Sequence, residues 1–412
     1  MTGHIVTHLV RRGVQHLAAR ATAEEQYVNQ LEKDAQLYEN AGPEMEVKPR
    51  EVLPVLITGL LALLIISLID YTIGQVVSAL AMIESPSRTA IVESKPAAPL
   101  YTDEPDAPLE KMPVEINADV EVTVIQRKPI TSNLRRTVGH LHRIGGFSAH
   151  WRGLGLAVFY HLLHASAAHF FVNNFGLGVV GEAFVYIFVS YGLARLHLVW
   201  THTMIAYPSS KSWYRRIPAY KDCGAILLPT VVYAAAQQAT ILLPVAVALA
   251  VGVTGPQAGH ASNIAKPESC LEAILLGLRL LAVLLTYITV SLAVLLPASI
   301  TLTRIEAICL PEGEEAIVLF DKEAIMGDIN LDDKGSYRAL FVHTWKAVDS
   351  ASKWRLVKLY AKMMIIHASL AFVGLLLMGA ELYLIGHERL GIFFKSARAQ
   401  LLLAGIEASK QQ

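Results

Sequence analysis

A repeated segment constrains the fold of this chain more than any other feature. Trp151-Arg152 is followed by His164-Ala165-Ser166, and Trp354-Arg355 is followed at the same thirteen-residue distance by His367-Ala368-Ser369. A weaker copy, Gln238-Ala239-Thr240, lies between them. Every copy falls in the second member of a pair of apolar segments, so the repeat predicts three helix pairs.

Composition identifies the environment of those helices. Of 412 residues, 53% are hydrophobic and only 17% are charged, whereas a soluble protein carries about a quarter charged residues. The apolar residues come in blocks of about 20 or more, the length that crosses a bilayer as a helix. The formal net charge is zero, so we expect the lipid bilayer as a partner and no nucleic acid.

The predicted fold class is an all-α integral membrane protein with six transmembrane helices arranged as three helix-pair repeats. A generic six-helix membrane bundle is the alternative. The apolar runs cover 53–85, 153–172, 176–208, 225–253, 271–311 and 359–385. The corresponding segments are an N-terminal segment 1–50, repeat 1 at 53–172, repeat 2 at 176–253, repeat 3 at 271–385 and a polar tail at 386–412.

A second register mark supports the same three pairs. Each odd-numbered run ends with an isoleucine three residues before a proline, as in Ile83 and Pro86. The loops inside the pairs carry most of the basic loop residues, which places these loops on one side of the membrane.

Two segments outside the runs have distinct compositions. The first twenty residues lack acidic side chains and form a basic amphipathic pattern, typical of a mitochondrial targeting segment or of a surface helix. We therefore expect a mitochondrial membrane, inner or outer, with the endoplasmic reticulum as an open alternative. The Pro- and Glu-rich insert 87–114 is predicted to be disordered, and 117–130 to form a strand or extended arm.

Several residues match a known transporter pattern. Pro297 and Arg304 are followed by Glu306 in the fifth run, and Trp151-Arg152-Gly153 begins the second. The arrangement resembles the mitochondrial carrier family, whose odd helices carry Pro-x-Asp-x-x-Lys/Arg-x-Arg-x-Gln and whose even helices begin with an aromatic-Arg-Gly motif. Here Ser299 and Leu302 replace the charged pair of the odd-helix motif, Thr72 and Ala194 replace its proline in the first and third runs, and Trp354-Arg355 lacks the glycine.

The resemblance implies substrate contacts at Tyr160, Ala234 and Met363. None of them is charged, although carriers of anionic metabolites place Arg or Lys there, so the resemblance implies a solute that is not strongly anionic. One hypothesis is therefore a divergent solute-carrier-type transporter. The other is a carrier-fold membrane adaptor or scaffold that binds a protein partner through residues 1–50 or its loops.

A segment from 296 to 321 also resembles uncharacterised fungal multipass proteins that carry the label "ubiquitin carrier protein". Ubiquitin conjugation needs an activated cysteine in a soluble domain, whereas Cys270 and Cys309 flank apolar helices that disfavour a thiolate. We expect no such activity and no enzyme. Histidines in the second and third runs would fit a bis-histidine haem site, but the fourth and fifth runs hold no paired histidines, so no cofactor and no metal are predicted.

Ionisable residues inside apolar runs are costly and point to function. Asp70 and Arg279 are predicted to face a polar cavity or to form a structural ion pair. His164 and His367 occupy equivalent repeat positions, which favours either hydrogen bonds between helices with help from Ser166 and Ser369 or a cavity-lining pair. The interpretation for Arg195, Arg304 and Glu306 is snorkelling at helix ends.

The predicted site therefore has two sets of residues. Cavity candidates are Asp70, Tyr160, His164, Ala234, Gln238, Arg279, Met363 and His367. The repeat signature is Trp151, Arg152, Pro297, Arg304, Trp354 and Arg355.

Overall fold

A computed structural model describes most of the chain. The described residues are 28–36, 47–85, 87–93, 121–127, 129–209, 211–218, 224–253, 270–311, 313–327, 329 and 336–410. The predicted amphipathic segment 1–20 and residues 94–114 of the insert lie outside them.

The described residues are helical apart from one pair of short strands. In chain order the elements are α1 (28–36), α2 (Pro49–Asp70), a π-helical segment (Tyr71–Val77), α3 (Ser78–Ile83), β1 (Ser87–Glu93), β2 (Glu121–Arg127), α4 (Leu134–Gly145), α5 (Leu154–Phe175), α6 (Val179–Gly192), α7 (Ala194–Ile205), α8 (Gly224–Ala250), α9 (Cys270–Val290), a second π-helical segment (Ser291–Leu295), α10 (Leu296–Ile308), α11 (Lys322–Met326), α12 (Ser336–Lys346), α13 (Ser350–Ile385) and α14 (His387–Lys410). Short 3-10 turns cover Ile130–Ser132, Phe147–Trp151 and Trp213–Arg216.

Within the described residues, five helices are long and apolar enough to cross a membrane, and a sixth span exists if a bent pair is counted as one. The bent pair is Val179–Gly192 with Ala194–Ile205, at 64° to each other. The five are Arg50–Ile83, Phe147–Phe175, Gly224–Ala250, Cys270–Ile308 and Ser350–Ile385. These helices coincide with the six apolar runs and fit a multipass membrane protein.

The chain forms two compact units. Unit 1 comprises Met1–Leu68 and Met364–Gln412, and unit 2 comprises Ile69–Met363. Unit 2 holds the ends of all three odd-numbered runs, which are α3, α7 and α10. These helices pack on one another through side chains that are almost completely buried, namely Leu80, Ile83, Leu198, Ile205, Ile300, Ile305 and Ile308.

Each odd-numbered run has an interruption in its α-helical hydrogen bonding. The π-helical segment of the first run covers Tyr71–Val77, α6 and α7 are separated at Leu193, and the π-helical segment of the fifth run covers Ser291–Leu295. Because π segments and interrupted hydrogen-bond ladders bend helices, each of the three runs has a potential bend before its buried end.

The repeat-signature arginines join one helix pair to another. Arg152 Nη2 donates to the carbonyl of Ala206, and Arg355 Nη2 donates to the carbonyl of Glu84 at 3.2 Å. Both acceptors directly follow the terminal isoleucine of their run. The residue twelve positions before Gln238 is Ile226, which instead belongs to a buried apolar cluster with Ile305 and Ile308 of α10.

One expectation for a region outside the runs needs correction. Ser87–Glu93, assigned to a disordered insert, pairs antiparallel with Glu121–Arg127. Thr89, Ile91 and Val92 are β-branched, which favours an extended chain.

Most of the predicted polar tail forms the 24-residue helix α14. Leu390 and Phe393 of this helix pack on a buried cluster of Val47, Val55 and Ile385.

Unit 1 contains the start of α2, the end of α13 and the helices α1 and α14. Thr58 Oγ1 donates to Glu381 Oε1 at 2.7 Å. A Cβ built on Gly374 would lie 3.3 Å from Ala62 Cβ. The small residue thus lets α2 and α13 approach closely, as is common in membrane helix packing.

We expect Glu84→Ala to destabilise the protein by about 3 kcal/mol, since it leaves several buried donors without an acceptor. The Glu84 side chain is 4% exposed and accepts hydrogen bonds from Ile130 N, Thr131 N and the Thr131 hydroxyl. Chemical unfolding of the purified protein in micelles measures the loss. The exposed Glu315 is the matched control, and a similar loss for Glu315→Ala would contradict the account.

Candidate functional site

The most deeply buried carboxylate among the described residues is Glu306 of α10. Its residue exposure is 0%. His197 Nδ1 lies 2.6 Å from Glu306 Oε1, and His202 Nε2 donates to the Glu306 carbonyl at 2.7 Å. The other carboxylate oxygen, Oε2, is buried and has no hydrogen-bond partner among the described residues.

Packing of α7 against α10 produces this arrangement. Both helices are apolar on the buried side, where Leu198 and Ile205 of α7 and Ile305 and Ile308 of α10 are almost completely buried. A carboxylate in such surroundings is costly unless it is hydrogen-bonded. The His197 contact therefore offsets part of that cost and fixes the register of the two helices.

Aromatic rings border His197, the partner of Glu306. The Tyr160 ring centroid lies 5.6 Å from that of His197 and 5.7 Å from that of Trp200, and His197 and Trp200 are 5.3 Å apart. The Tyr160 and His164 centroids are separated by 5.9 Å. We refer to Glu306, His197, Tyr160, Trp200 and His164 as the Glu306 cluster.

His164 is held by a serine from the next helix. Its Nε2 lies 2.9 Å from Ser190 Oγ, and the Ser190 hydroxyl donates to the Tyr186 carbonyl at 2.8 Å. Since a hydroxyl has one hydrogen to donate, His164 Nε2 is the donor to Ser190. The predicted hydrogen bond between helices therefore exists, but Ser166 is exposed and α6 supplies the partner.

A short chain of hydrogen bonds connects the cluster to the repeat signature. Trp200 Nε1 donates to the Tyr71 hydroxyl at 3.1 Å, and that hydroxyl donates to the Arg152 carbonyl at 2.6 Å. Gly153 has a φ of +73°, and an added Cβ would lie 3.2 Å from Trp200 Cδ1. The glycine of the aromatic-Arg-Gly motif is thus required both by its backbone conformation and by the proximity of Trp200.

Two predicted cavity residues belong to the cluster, and three others lie elsewhere. Tyr160 and His164 are members, and Ala234 is buried at 1% exposure. Asp70 and Arg279 are exposed, and neither forms an ion pair in the described part of the chain.

The remaining three cavity candidates differ in their surroundings. Gln238 is half-buried, whereas its neighbour Gln237 accepts a hydrogen bond from the Tyr186 hydroxyl at 3.1 Å. Met363 packs beside Gly74 in unit 2. His367 lies in unit 1, where its Nε2 is buried without a partner among the described residues.

Arg304 is buried, at 6% exposure, so snorkelling does not describe it. Its Nε donates to the Met82 carbonyl at 3.0 Å and its Nη1 to the Ala347 carbonyl at 3.1 Å. Nη2 lies 3.7 Å from Asp349 Oδ1. Burial acts to raise the pKa of Asp349, but hydrogen bonds from Ser352 and the Arg304 charge outweigh it, so the pKa lies below its usual value.

The aromatic members of the repeat signature are not equivalent in the structure. Trp151 packs edge-on against Phe147, with centroids 4.8 Å apart. Trp354 is 60% exposed, and Lys358 Nζ lies 5.4 Å from its ring centroid. Pro297 is buried in α10. Only the two arginines of the repeated Trp-Arg pair therefore make comparable contacts.

Sequence reasoning missed the pairing of Glu306 with His197. Both residues were recognisable as ionisable groups inside apolar runs, and Glu306 stands where the carrier pattern has Gln. They occupy different registers, six residues apart relative to the terminal isoleucines. A repeat comparison alone therefore does not bring them together.

Comparisons with known proteins do not assign the site. No protein-family model, no curated protein and no solved structure matches the chain. Among the described residues, no group of three or more His, Cys, Asp or Glu side chains is arranged to hold a metal ion.

We predict that His197→Leu lowers the free energy of unfolding by about 3 to 5 kcal/mol, because it leaves Glu306 buried without its partner. The double variant His197→Leu/Glu306→Leu should recover most of that loss, since it removes both polar groups together. Chemical unfolding in micelles measures both. His169→Leu, at an exposed position of α5, is the control and should change stability by less than about 0.5 kcal/mol. Additive losses in the double variant would show that the two side chains do not interact.

Proposed function

We propose that this chain is a multipass membrane transporter of carrier-like architecture whose Glu306 cluster binds a small cationic or hydrogen-bond-donating solute. The observation that carries the proposal is a carboxylate with 0% exposure inside an apolar helix junction, with one oxygen left without a partner among the described residues. Ionisable groups at such depth in membrane proteins mark solute and ion pathways.

The contacts between helix pairs support the carrier-like architecture. Arg152 of the first pair binds Ala206 of the second, and Arg355 of the third binds Glu84 of the first. Ile226 of the second pair packs with the third. In each case the start of an even helix meets the end of the next odd helix, an order that closes on itself after three pairs.

The chemistry of the cluster supports the solute class. Glu306 Oε2 can accept a hydrogen bond or attract a positive charge. Tyr160 and Trp200 supply aromatic faces, which attract cations in desolvated sites. The carrier-like contact positions Tyr160, Ala234 and Met363 carry no positive charge, which disfavours an anion.

Access to Glu306 requires movement of the helices that bury it. The packed ends of α3, α7 and α10 enclose the carboxylate. The π-helical segments Tyr71–Val77 and Ser291–Leu295 and the break at Leu193 precede these ends, so the three ends can separate without unfolding the rest of each helix. Such element ends commonly absorb hinge motion in alternating-access proteins.

Thermal stabilisation of the purified protein in micelles tests the solute class. Choline, spermidine and arginine serve as cationic probes, glycerol as a neutral donor and citrate as an anion. A probe present at 100 times its dissociation constant should stabilise the fold by about 2.7 kcal/mol. Any cation or neutral donor that stabilises the protein is then tested for uptake into liposomes.

Glu306→Gln keeps the side-chain shape and removes the charge. We expect it to weaken binding of a cationic probe by about 10- to 100-fold, because it removes a charge-assisted contact. Glu315→Gln, at an exposed position, is the matched control and should bind as the unmodified chain does. Stabilisation by citrate alone, or an undiminished response in Glu306→Gln, would refute the proposed site.

A membrane adaptor is the second candidate. The observation that favours it is the contact between α1 and α14 in unit 1, where the Ser396 hydroxyl of α14 donates to the Ala35 carbonyl of α1 at 2.8 Å. These two helices would present a surface to a protein partner. An adaptor should give no response to any solute probe, and deletion of residues 1–50 should remove partners in a pull-down.

A further inference from the structure

Helix α14 begins directly where a candidate membrane span ends. The span Ser350–Ile385 is followed by a single residue, Gly386, and then by His387 of α14. Gly386 has a φ of +97°, a left-handed conformation that stops one helix and redirects the chain. The first turn of α14 is therefore fixed by connectivity at the membrane boundary.

A second contact places α14 at the same boundary. Arg389 Nη2 lies 2.8 Å from Glu51 Oε2, and Glu51 is in the first turn of α2, where the span Arg50–Ile83 begins. Val47, Val55 and Ile385 form one buried cluster beside this ion pair. The start of the first span and the end of the last one thus meet at the base of α14.

The two faces of α14 have opposite surroundings. Ser396 and Ala399 are 3% and 2% exposed, and Ser396 contacts α1. Helix α1 exposes polar side chains at Gln30, Glu32 and Lys33, so this side of α14 is on the water side.

The face turned away from α1 is apolar and basic. Phe394 and Leu401, seven residues apart and therefore on one helix face, are 57% and 75% exposed. Lys395 and Arg398 are exposed beside them.

We propose that α14 is an interfacial helix that lies on the bilayer surface. Phe394 and Leu401 enter the boundary between headgroups and acyl chains, while Lys395 and Arg398 contact anionic phospholipid headgroups. An apolar face flanked by basic residues and held at the membrane boundary is the pattern of helices that bind in the interface plane. The inference does not depend on the proposed transport function.

The test uses the full chain in liposomes, with Cys223, Cys270 and Cys309 replaced by serine. A single cysteine is placed at Leu401 or, as the control, at Glu32 of α1, and is labelled with the fluorophore NBD. Only vesicles in which the label is on the outer side are compared. We expect aqueous dithionite to reduce the label at 401 about ten-fold or more slowly than at 32, and a nitroxide on the lipid headgroup region to quench only the label at 401.

Equal reduction rates at the two positions would overturn the proposal. Protection at 401 without quenching by nitroxide lipid would also overturn it, because a second copy of the chain would then be the cover. Leu401 and Glu32 are both exposed, so neither label should disturb folding relative to the unlabelled protein with the three cysteines replaced, which is the reference for both.

A separate measurement tests whether Lys395 and Arg398 bind anionic headgroups. Vesicles contain either phosphatidylcholine alone or phosphatidylcholine with phosphatidylglycerol, and the quencher is a nitroxide phosphatidylglycerol. Lys395→Gln and Arg398→Gln should each reduce the local preference for that lipid by about five-fold. An unchanged preference in the double variant would overturn the assignment to anionic headgroups.

Discussion

The burial of the Glu306 carboxylate is the constraint on which the rest of unit 2 depends. An acid at 0% exposure between two largely apolar helices is tolerated only with a close polar partner. His197 supplies that partner at 2.6 Å, which holds α7 and α10 in one register. The His197 ring also lies beside the rings of Tyr160 and Trp200, and Tyr160 lies beside His164, so one polar contact joins the helix junction to the candidate site.

The carbonyl groups at the helix ends of unit 2 also need hydrogen-bond donors, and arginine side chains supply them. The last carbonyls of a helix have no partner within it, and in an apolar environment they must find one elsewhere. Ala81 and Met82, near the end of α3, accept from Arg355 and Arg304, and Ala206, after α7, accepts from Arg152. The three arginines thus bind helix-end carbonyls of neighbouring helices.

The sequence predicted the features that follow from the local pattern of apolar and polar residues. Apolar runs marked the candidate spans, and the Trp-Arg repeat located Arg152 and Arg355 at the starts of even helices. The sequence did not predict contacts between side chains that are far apart along the chain. Asp70 and Arg279 looked inward-facing but are exposed, while Glu306 looked like a helix-end residue but finds His197 on another helix. The tail after Ile385 mixes apolar and basic residues along the sequence, and helical spacing buries Ser396 and Ala399 on one face and exposes Phe394, Leu401 and Arg398 on the other.

Solid-state NMR of the protein in bilayers tests the central pairing most directly. With nitrogen-15 in the histidine rings and carbon-13 in the glutamate carboxyl groups, dipolar recoupling detects only pairs in close contact. The account predicts a strong signal between a histidine ring nitrogen and a glutamate carboxyl carbon that disappears in both His197→Gln and Glu306→Gln. A signal that survives either substitution, or the lack of any such signal in the unmodified protein, would contradict it.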